Sequence, residues 1–447
     1  MSFCARQRWL LVGALALASA VLLVACGGEE EAGPTPGATA KVTAKATAGA
    51  GDTTGVTATE IKLGTLLPLS NTAAAAWGVP ISKGMKAYFD YINDNGGIYG
   101  RKINLIVGDS QYVGPVAIEA ARKLAEQDKV FAFQGGLGTA AEAAVFRYLE
   151  EKGIPDMFLL TGETSWTEPI ARNRFTFLVD YITEGRILGQ YIAKNYDGKK
   201  LGILAQNDDF GKEGEEGLKL GIEDENAEMD TVTEYYDATQ TDVTAQTQRL
   251  KNANVDVIGA YGMPQQVASL FRVARETLSW DVPILLSGVD AVEIVGALAG
   301  YENIQGTVSV AFGHPIYETE VPGIADYVEI MGKYASDAKT ENLTLVGYSI
   351  SQAMVQLLKQ AGPDLTRESF LDAAESLCKW TSPIAVLPAS FSPTDHRYTQ
   401  VEVYVKATGT TTETFRWEFF GDPVVFESTE DCTEPTPPPD FDKQPGP

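Results

Sequence analysis

Positive charge is in short supply. Lys and Arg number 35 against 60 Asp and Glu, a formal net charge of -25. Nucleic acid binds a basic surface that neutralises phosphates, so that class of partner is excluded. The acidic excess is spread along the chain and reads as a solvated surface. Histidine occurs only at His314 and His396, far apart and without metal-ligand spacing. The Gly-x-Ser-x-Gly elbow, the zinc-protease helix motif and the phosphate-binding loop are all absent. Catalysis is therefore poorly supplied, and no enzyme activity, metal or cofactor is expected. No repeat of roughly 20 to 50 residues is found, which removes solenoids and propellers.

Long hydrophobic runs are missing too. The longest, within Trp9 to Ala25, is shorter than the roughly 20 residues of a spanning helix and ends at a cysteine. Arg6 and Arg8 precede it as a positive n-region, so residues 1–25 are read as a signal peptide. Leu23-Val24-Ala25-Cys26 resembles a bacterial lipobox, whose cysteine becomes a lipidated N-terminus. That implies export and a lipid anchor at Cys26 on the outer face of the cell membrane. Of four cysteines, Cys4 then leaves with the signal and Cys26 takes lipid. Cys378 and Cys432 remain as a pair in an oxidising setting, where a disulfide is expected; two buried free thiols are the alternative. A bridge over that loop would contribute about 4 kcal/mol in the chain-entropy model.

What is present is an α/β pattern. Residues 26–58, the lipid anchor and a stretch rich in Gly, Ala, Thr and Pro, offer almost nothing to pack and read as a disordered tether. The Pro-rich, acidic residues 434–447 read as a loose tail. Between them, short apolar strands alternate with helical periodicity, the mark of open α/β sheets. The organising stretch is Ile61 to Ser110. A strand at Ile61 to Leu69 leads to a helix whose Ile81, Met85, Tyr88, Phe89 and Ile92 share one face. Asn95-Gly96-Gly97 stops it, and Lys102 to Val107 forms the next strand, a parallel pair with its crossover. Later strands are expected near 130–133, 157–160, 175–179, 201–205, 231–236, 255–260, 284–286, 307–311 and 401–405. That count exceeds one comfortable sheet, so 447 residues are read as two lobes.

Pro68-Leu69-Ser70, Ile92-Asn93 and the run GGIYGRKINL resemble the branched-chain amino-acid binding protein family, solute receptors of ABC importers with the type I periplasmic-binding fold. The order of elements is similar over about Thr59 to Gly409. The resemblance implies two Rossmann-like lobes, each with a central parallel sheet, joined by a three-segment hinge. Crossings near Val179, Ala311 and Ala385 give lobe one as 59–179 plus 312–385 and lobe two as 180–311 plus 386–426. It also implies a small amino acid, amide or carboxylate as ligand, a membrane permease as partner, and a monomer. A sensor on the same fold, or an exported α/β enzyme, are the alternatives.

Ligands of open α/β sheets sit beyond the carboxyl ends of the strands. Four loops stand there. Gln134-Gly135-Gly136-Leu137-Gly138-Thr139-Ala140 opens a helix; its glycines allow close approach and its free N–H groups and dipole suit a carboxylate. The resemblance assigns that carboxylate to Gly138, Thr139 and Ala140, the competing reading being a plain N-cap. Thr164 and Ser165, in the loop from Leu160 to Trp166, are the family matches for the rest of the clamp. Glu163 departs from the family's small residue there and would repel a carboxylate if it faced inward. Phe210 and Trp77 fall at positions where the resemblance implies an aromatic wall, and Tyr261, after the next-but-one strand, is a further candidate; core packing is the alternative for each. The resemblance also implies an acid near Ser287-Gly288-Val289-Asp290 for a ligand ammonium, with Asp290 the candidate; the alternative is an N-cap for a helix starting at Ala291.

Overall fold

The computed structural model describes residues 51–70, 73–385, 388–425, 432 and 435–437. The expected signal peptide and Cys26 lie outside these. β1 (Glu60–Leu67) is buried along most of its length, as a parallel strand covered on both faces must be. α1 (Ala75–Asp94) turns Trp77, Ile81, Met85, Tyr88, Phe89 and Ile92 inward, the face its spacing gives. Asn95 caps it, and Gly96 and Gly97 follow with φ of 99° and 69°. β2 (Lys102–Asp109), α2 (Gly114–Arg122), β3 (Ala132–Gln134), α3 (Thr139–Glu151), β4 (Asp156–Leu159) and β5 (Arg174–Thr176) follow. They complete a parallel sheet in the order β2-β1-β3-β4-β5.

The chain then leaves this sheet for a second one. Its elements are α4 (Tyr181–Tyr196), β6 (Leu201–Gln206), α5 (Asp209–Asp224), β7 (Thr231–Tyr236) and α6 (Thr244–Asn252). β8 (Val257–Tyr261), α7 (Pro264–Arg272), β9 (Ile284–Leu286), α8 (Glu293–Ala299) and β10 (Val308–Ala311) continue it. Next, α9 (Pro322–Tyr334), α10 (Asn342–Gln360) and α11 (Arg367–Glu375) return to the first half. α10 crosses α1 at two glycines: a side chain begun at Gly84 or Gly347 would stand 1.9 Å from Thr344 O or 2.0 Å from Ile81 O. Finally β11 (Val401–Thr408), β12 (Arg416–Phe419) and β13 (Val424–Val425) rejoin the second sheet.

Three expectations need correction. The second sheet is mixed, not parallel: β10, β11 and β12 pair antiparallel, in the order β12-β11-β10-β9-β8-β6-β7, and β13 pairs with β11. β11 and β12 follow one another through a short turn, which needs no crossover helix. The tether is shorter than expected. Arg367 donates to Asp52 Oδ2 at 2.6 Å and to the carbonyls of Phe131 and Val130, and its N–H bonds Asp52 O. One ion pair, invisible in composition, thus ties residues near 52 to the body. The tail is anchored at Thr436, which exchanges hydrogen bonds with the Cys378 backbone. It is held there because Cys378 and Cys432 form a disulfide.

Candidate functional site

Each sheet reverses its strand order once, β1 against β3 in the first and β6 against β8 in the second. Crevices form at such switch points, beyond the strand ends. Here the two face one shared cavity. Trp77, Leu137 and Gly138 come from the first half, and Phe210, Met263 and Val289 from the second. About 100 Å³ is open to the centre of a water molecule, room for several waters or a small organic solute.

On the first side, Gly138 precedes α3 with φ of 108°, and a Cβ there would strike the Tyr112 ring at 2.4 Å. The loop therefore runs close under that ring. Thr139 Oγ1 and Thr161 Oγ1 are 2.7 Å apart. The Tyr181 ring crowds this loop, 3.0 Å from where a Cβ on Gly162 would start, and Tyr181 N donates to Gly162 O at 2.8 Å. Trp166 Nε1 donates to Thr161 from behind, so this indole backs the niche. Burial pushes the Tyr181 hydroxyl well above its ordinary pKa. Tyr181 stands in the first turn of α4, where Asp180 caps by accepting from Thr183 N at 2.7 Å and Thr183 Oγ1 at 2.9 Å.

The opposite side is aromatic and acidic. Phe210 sits in the first turn of α5, which Asp208 caps. Its ring packs against Tyr181 at 4.7 Å and edge-on to Tyr261 at 5.7 Å. Beside these rings lie three buried acids, Glu184, Glu402 and Asp290. Glu184 accepts from Ser287 Oγ at 2.7 Å. Gly288 admits its other oxygen, since a Cβ there would be 2.9 Å away. Desolvation pushes Glu184 up to about 7, despite the Ser287 bond. Glu402 and Asp290 are raised well above the carboxylate range by burial first and by the Glu184 charge next. Glu402 Oε2, both Asp290 oxygens and the Tyr261 hydroxyl lack a hydrogen-bond partner of good geometry.

Among the contacts that bridge the halves, two involve these loops. Glu213 of α5 accepts from Thr164 N with both oxygens at 3.1 Å, and from the Thr164 hydroxyl. Gln206 Nε2 reaches the Tyr112 hydroxyl at 3.5 Å. Desolvation pushes Glu213 up to about 7, against the Thr164 bonds and with help from the Glu163 and Asp180 charges.

The structure gathers Trp77, Gly138 and Phe210 on the cavity wall. Thr139 is in the hydroxyl niche, while Ala140 points outward from α3. Thr164 spends its donors on Glu213. Ser165 donates to Glu163 from its N–H at 3.0 Å and its hydroxyl at 2.6 Å. Glu163 is thereby held in its own turn. Tyr261 and Asp290 stand one layer behind the wall, fully buried. Asp290 closes a 3-10 turn, and α8 begins only at Glu293, so it is no cap for a helix at Ala291. The two histidines are structural. His396 stacks on Phe175 at 3.9 Å, and His314 contacts Glu318.

Sequence reasoning missed Thr161, Tyr181, Glu184 and Glu402. Glu402 alone left a trace: a charge inside the apolar run Val401-Glu402-Val403 of a strand. Glu184 looked like an ordinary first-turn acid suiting the helix dipole.

Two halves that present their switch-point loops to one cavity define a two-lobed solute-binding protein. Residues 60–408 match the family described as periplasmic binding protein, and the chain belongs to it. Leu/Ile/Val-binding protein homolog 1 of Brucella suis biovar 1 (strain 1330) is 24% identical over 295 residues, covering 66% of this chain and 77% of the relative. Among solved structures, a fatty acid ABC transporter substrate-binding protein from Thermomonospora curvata superposes with a TM-score of 0.74 at 23% identity, over 83% of this chain and 94% of its own. A branched chain amino acid ABC transporter protein from Thermus thermophilus, with bound valine, gives 0.73 at 18% identity, over 82% and 96%. These are binding proteins, and so is this chain; it is not an enzyme. Membership puts it outside the cytoplasm. No helix among the described residues is long and apolar enough to cross a membrane.

Proposed function

We propose that this chain is the lipid-anchored receptor of an ABC importer, tethered through Cys26 and acting as a monomer. It binds a small amino acid, amide or related solute between lobe one (59–179 plus 312–385) and lobe two (180–311 plus 386–426), and delivers it to a membrane permease. The carrying observation is the shared cavity between the two switch points, with bridges from Thr164 to Glu213 and from Tyr112 to Gln206. Phe210, Trp77 and Gly138 contact the solute; Thr139, Tyr261 and Asp290 support the walls. Closure excludes water, which strengthens the few polar contacts left inside. The Leu/Ile/Val-binding relatives and the valine-bound neighbour support a solute with an apolar body, as do Leu137, Leu160 and Val292 along the cavity.

Native mass spectrometry of the protein purified without refolding tests this. A carried-over small molecule is expected, and Phe210→Ala should lose it. A solute retained at full occupancy by Phe210→Ala and Trp77→Ala would refute the cleft as its seat.

A further inference from the structure

Resting on the cleft reading, we infer that the solute is an apolar amine or amino amide without a free carboxylate: its cationic nitrogen faces Glu184 and Glu402, and the Thr139 and Thr161 hydroxyls of the opposite niche are already bonded to each other.

Three observations converge. The first is charge. Among the described residues, those around the cavity include the carboxyls Glu184 and Glu402 and no Lys, Arg or His. Asp290 lies just behind. Asp180 adds to the negative field, and its own cation, Arg397, is 3.8 Å from it and is also bonded to Asp395. A carboxylate entering here would meet acids with no counter-ion. Burial keeps these acids protonated, and a cation would draw them into the charged form by supplying the partner that a buried charge needs.

The second observation is vacancy of a specific kind. Glu402 is 2% exposed and lines the cavity with one oxygen unpartnered. Asp290 and Tyr261, both 0% exposed, hold further unpartnered oxygens beside it. Buried acceptors in native proteins are rarely left unmet. An ammonium brings three donors to satisfy them. The rings of Phe210 and Tyr181 beside these acids favour a cation further.

The third is competition. Thr139, Thr161 and the Gly162 N–H would suit a carboxylate. The two hydroxyls instead bond each other at 2.7 Å, and the Tyr181 ring lies on Gly162, 3.0 Å from where a Cβ would start. A carboxylate ligand would have to break that bond and displace that ring. With Leu137, Leu160, Met263 and Val292 among the wall residues, the body of the solute is apolar.

The test is calorimetry on the purified full chain, after removal of carried-over solute, with four matched probes: 3-methylbutylamine, L-leucinamide, L-leucine and 4-methylpentanoate. The amine and the amide are expected to bind, L-leucine about tenfold or more weaker, and 4-methylpentanoate not at all. Glu402→Gln should weaken the amine by about tenfold or more, because it removes the partner of a buried charge. Tyr181→Ala removes the ring from Gly162 and opens the niche, so 4-methylpentanoate should gain measurable affinity. If 4-methylpentanoate or L-leucine binds the wild type most tightly, or none of the four binds, the inference is wrong while the cleft reading stands. If the amine binds equally well to Phe210→Ala and Trp77→Ala, the cleft reading falls and takes the inference with it.

Discussion

Glu213→Ala should open the molecule. In the structure Glu213 reaches from α5 of the second half to Thr164 of the first and accepts from its backbone N–H and its hydroxyl. At pH 8, where Glu213 is ionised, hydrogen bonds to its charged carboxylate contribute about 1.5–3 kcal/mol net. Losing that from the bridged form alone shifts the balance of bridged to open molecules about 10- to 150-fold. Solute binds the bridged form, so apparent affinity should fall by a similar factor where the free protein is mostly open. Small-angle scattering without solute, paired with calorimetry on the carried-over solute, reads both effects. Thr164→Val removes the hydroxyl and keeps the N–H, and should give a smaller change in the same direction. Unchanged scattering and unchanged affinity in Glu213→Ala would show that this contact does not hold the halves together.

Other consequences follow from the packing and the buried charges. Glu184, Glu213, Asp156 and Glu293 are each pushed up to about 7 by burial. In the native state they hold protons that the unfolded chain, with carboxyls near 4, has released; stability therefore falls as pH rises from about 5 to about 7. Buried His396, pushed below its ordinary value by desolvation, works the other way but is one group against four. A urea midpoint higher at pH 5.5 than at pH 8 is expected, and the reverse order would contradict it. Cys378→Ser with Cys432→Ser should cost about 4 kcal/mol, from freeing a loop of 54 positions in the unfolded chain; an unchanged melting temperature would disprove that role. Gly347→Ala should destabilise by about 1–3 kcal/mol, since its Cβ would stand 2.0 Å from Ile81 O where α10 crosses α1. Arg174→Met should cost about 3–5 kcal/mol, because Arg174 is the buried cation that eases Glu142 and Asp156; a chemical denaturation curve decides both.

Local periodicity carried the first half of the fold. The inward face of α1 and the strand that follows could be read residue by residue, because helix and strand burial repeat with fixed periods. The strand set 231–236 and 284–286 was equally plain. What periodicity does not encode is partnership between distant segments. Nothing in Val401 to Thr408 announces an antiparallel place beside β10, and the short β12 and β13 carried no recognisable signal. The site divides the same way. Gly138 stood out as part of a glycine loop after a strand, and Phe210 and Trp77 through the family resemblance; all three line the cavity. Glu184, Glu402 and Tyr181 were not, because burial of a charge is a property of the assembled halves. Thr164 shows the cost of reading one loop alone: its donors belong to a glutamate 49 positions away.

The central claim is that a solute sits between the two switch points, against Phe210 on one side and Gly138 on the other, with its polar head at Glu184 and Glu402. A crystal structure of the protein purified with its own solute tests this most directly. The account predicts density for a small molecule in contact with those four residues and the Thr164 to Glu213 bridge intact. Density for the solute elsewhere on the molecule, with this cavity holding only water, would contradict it.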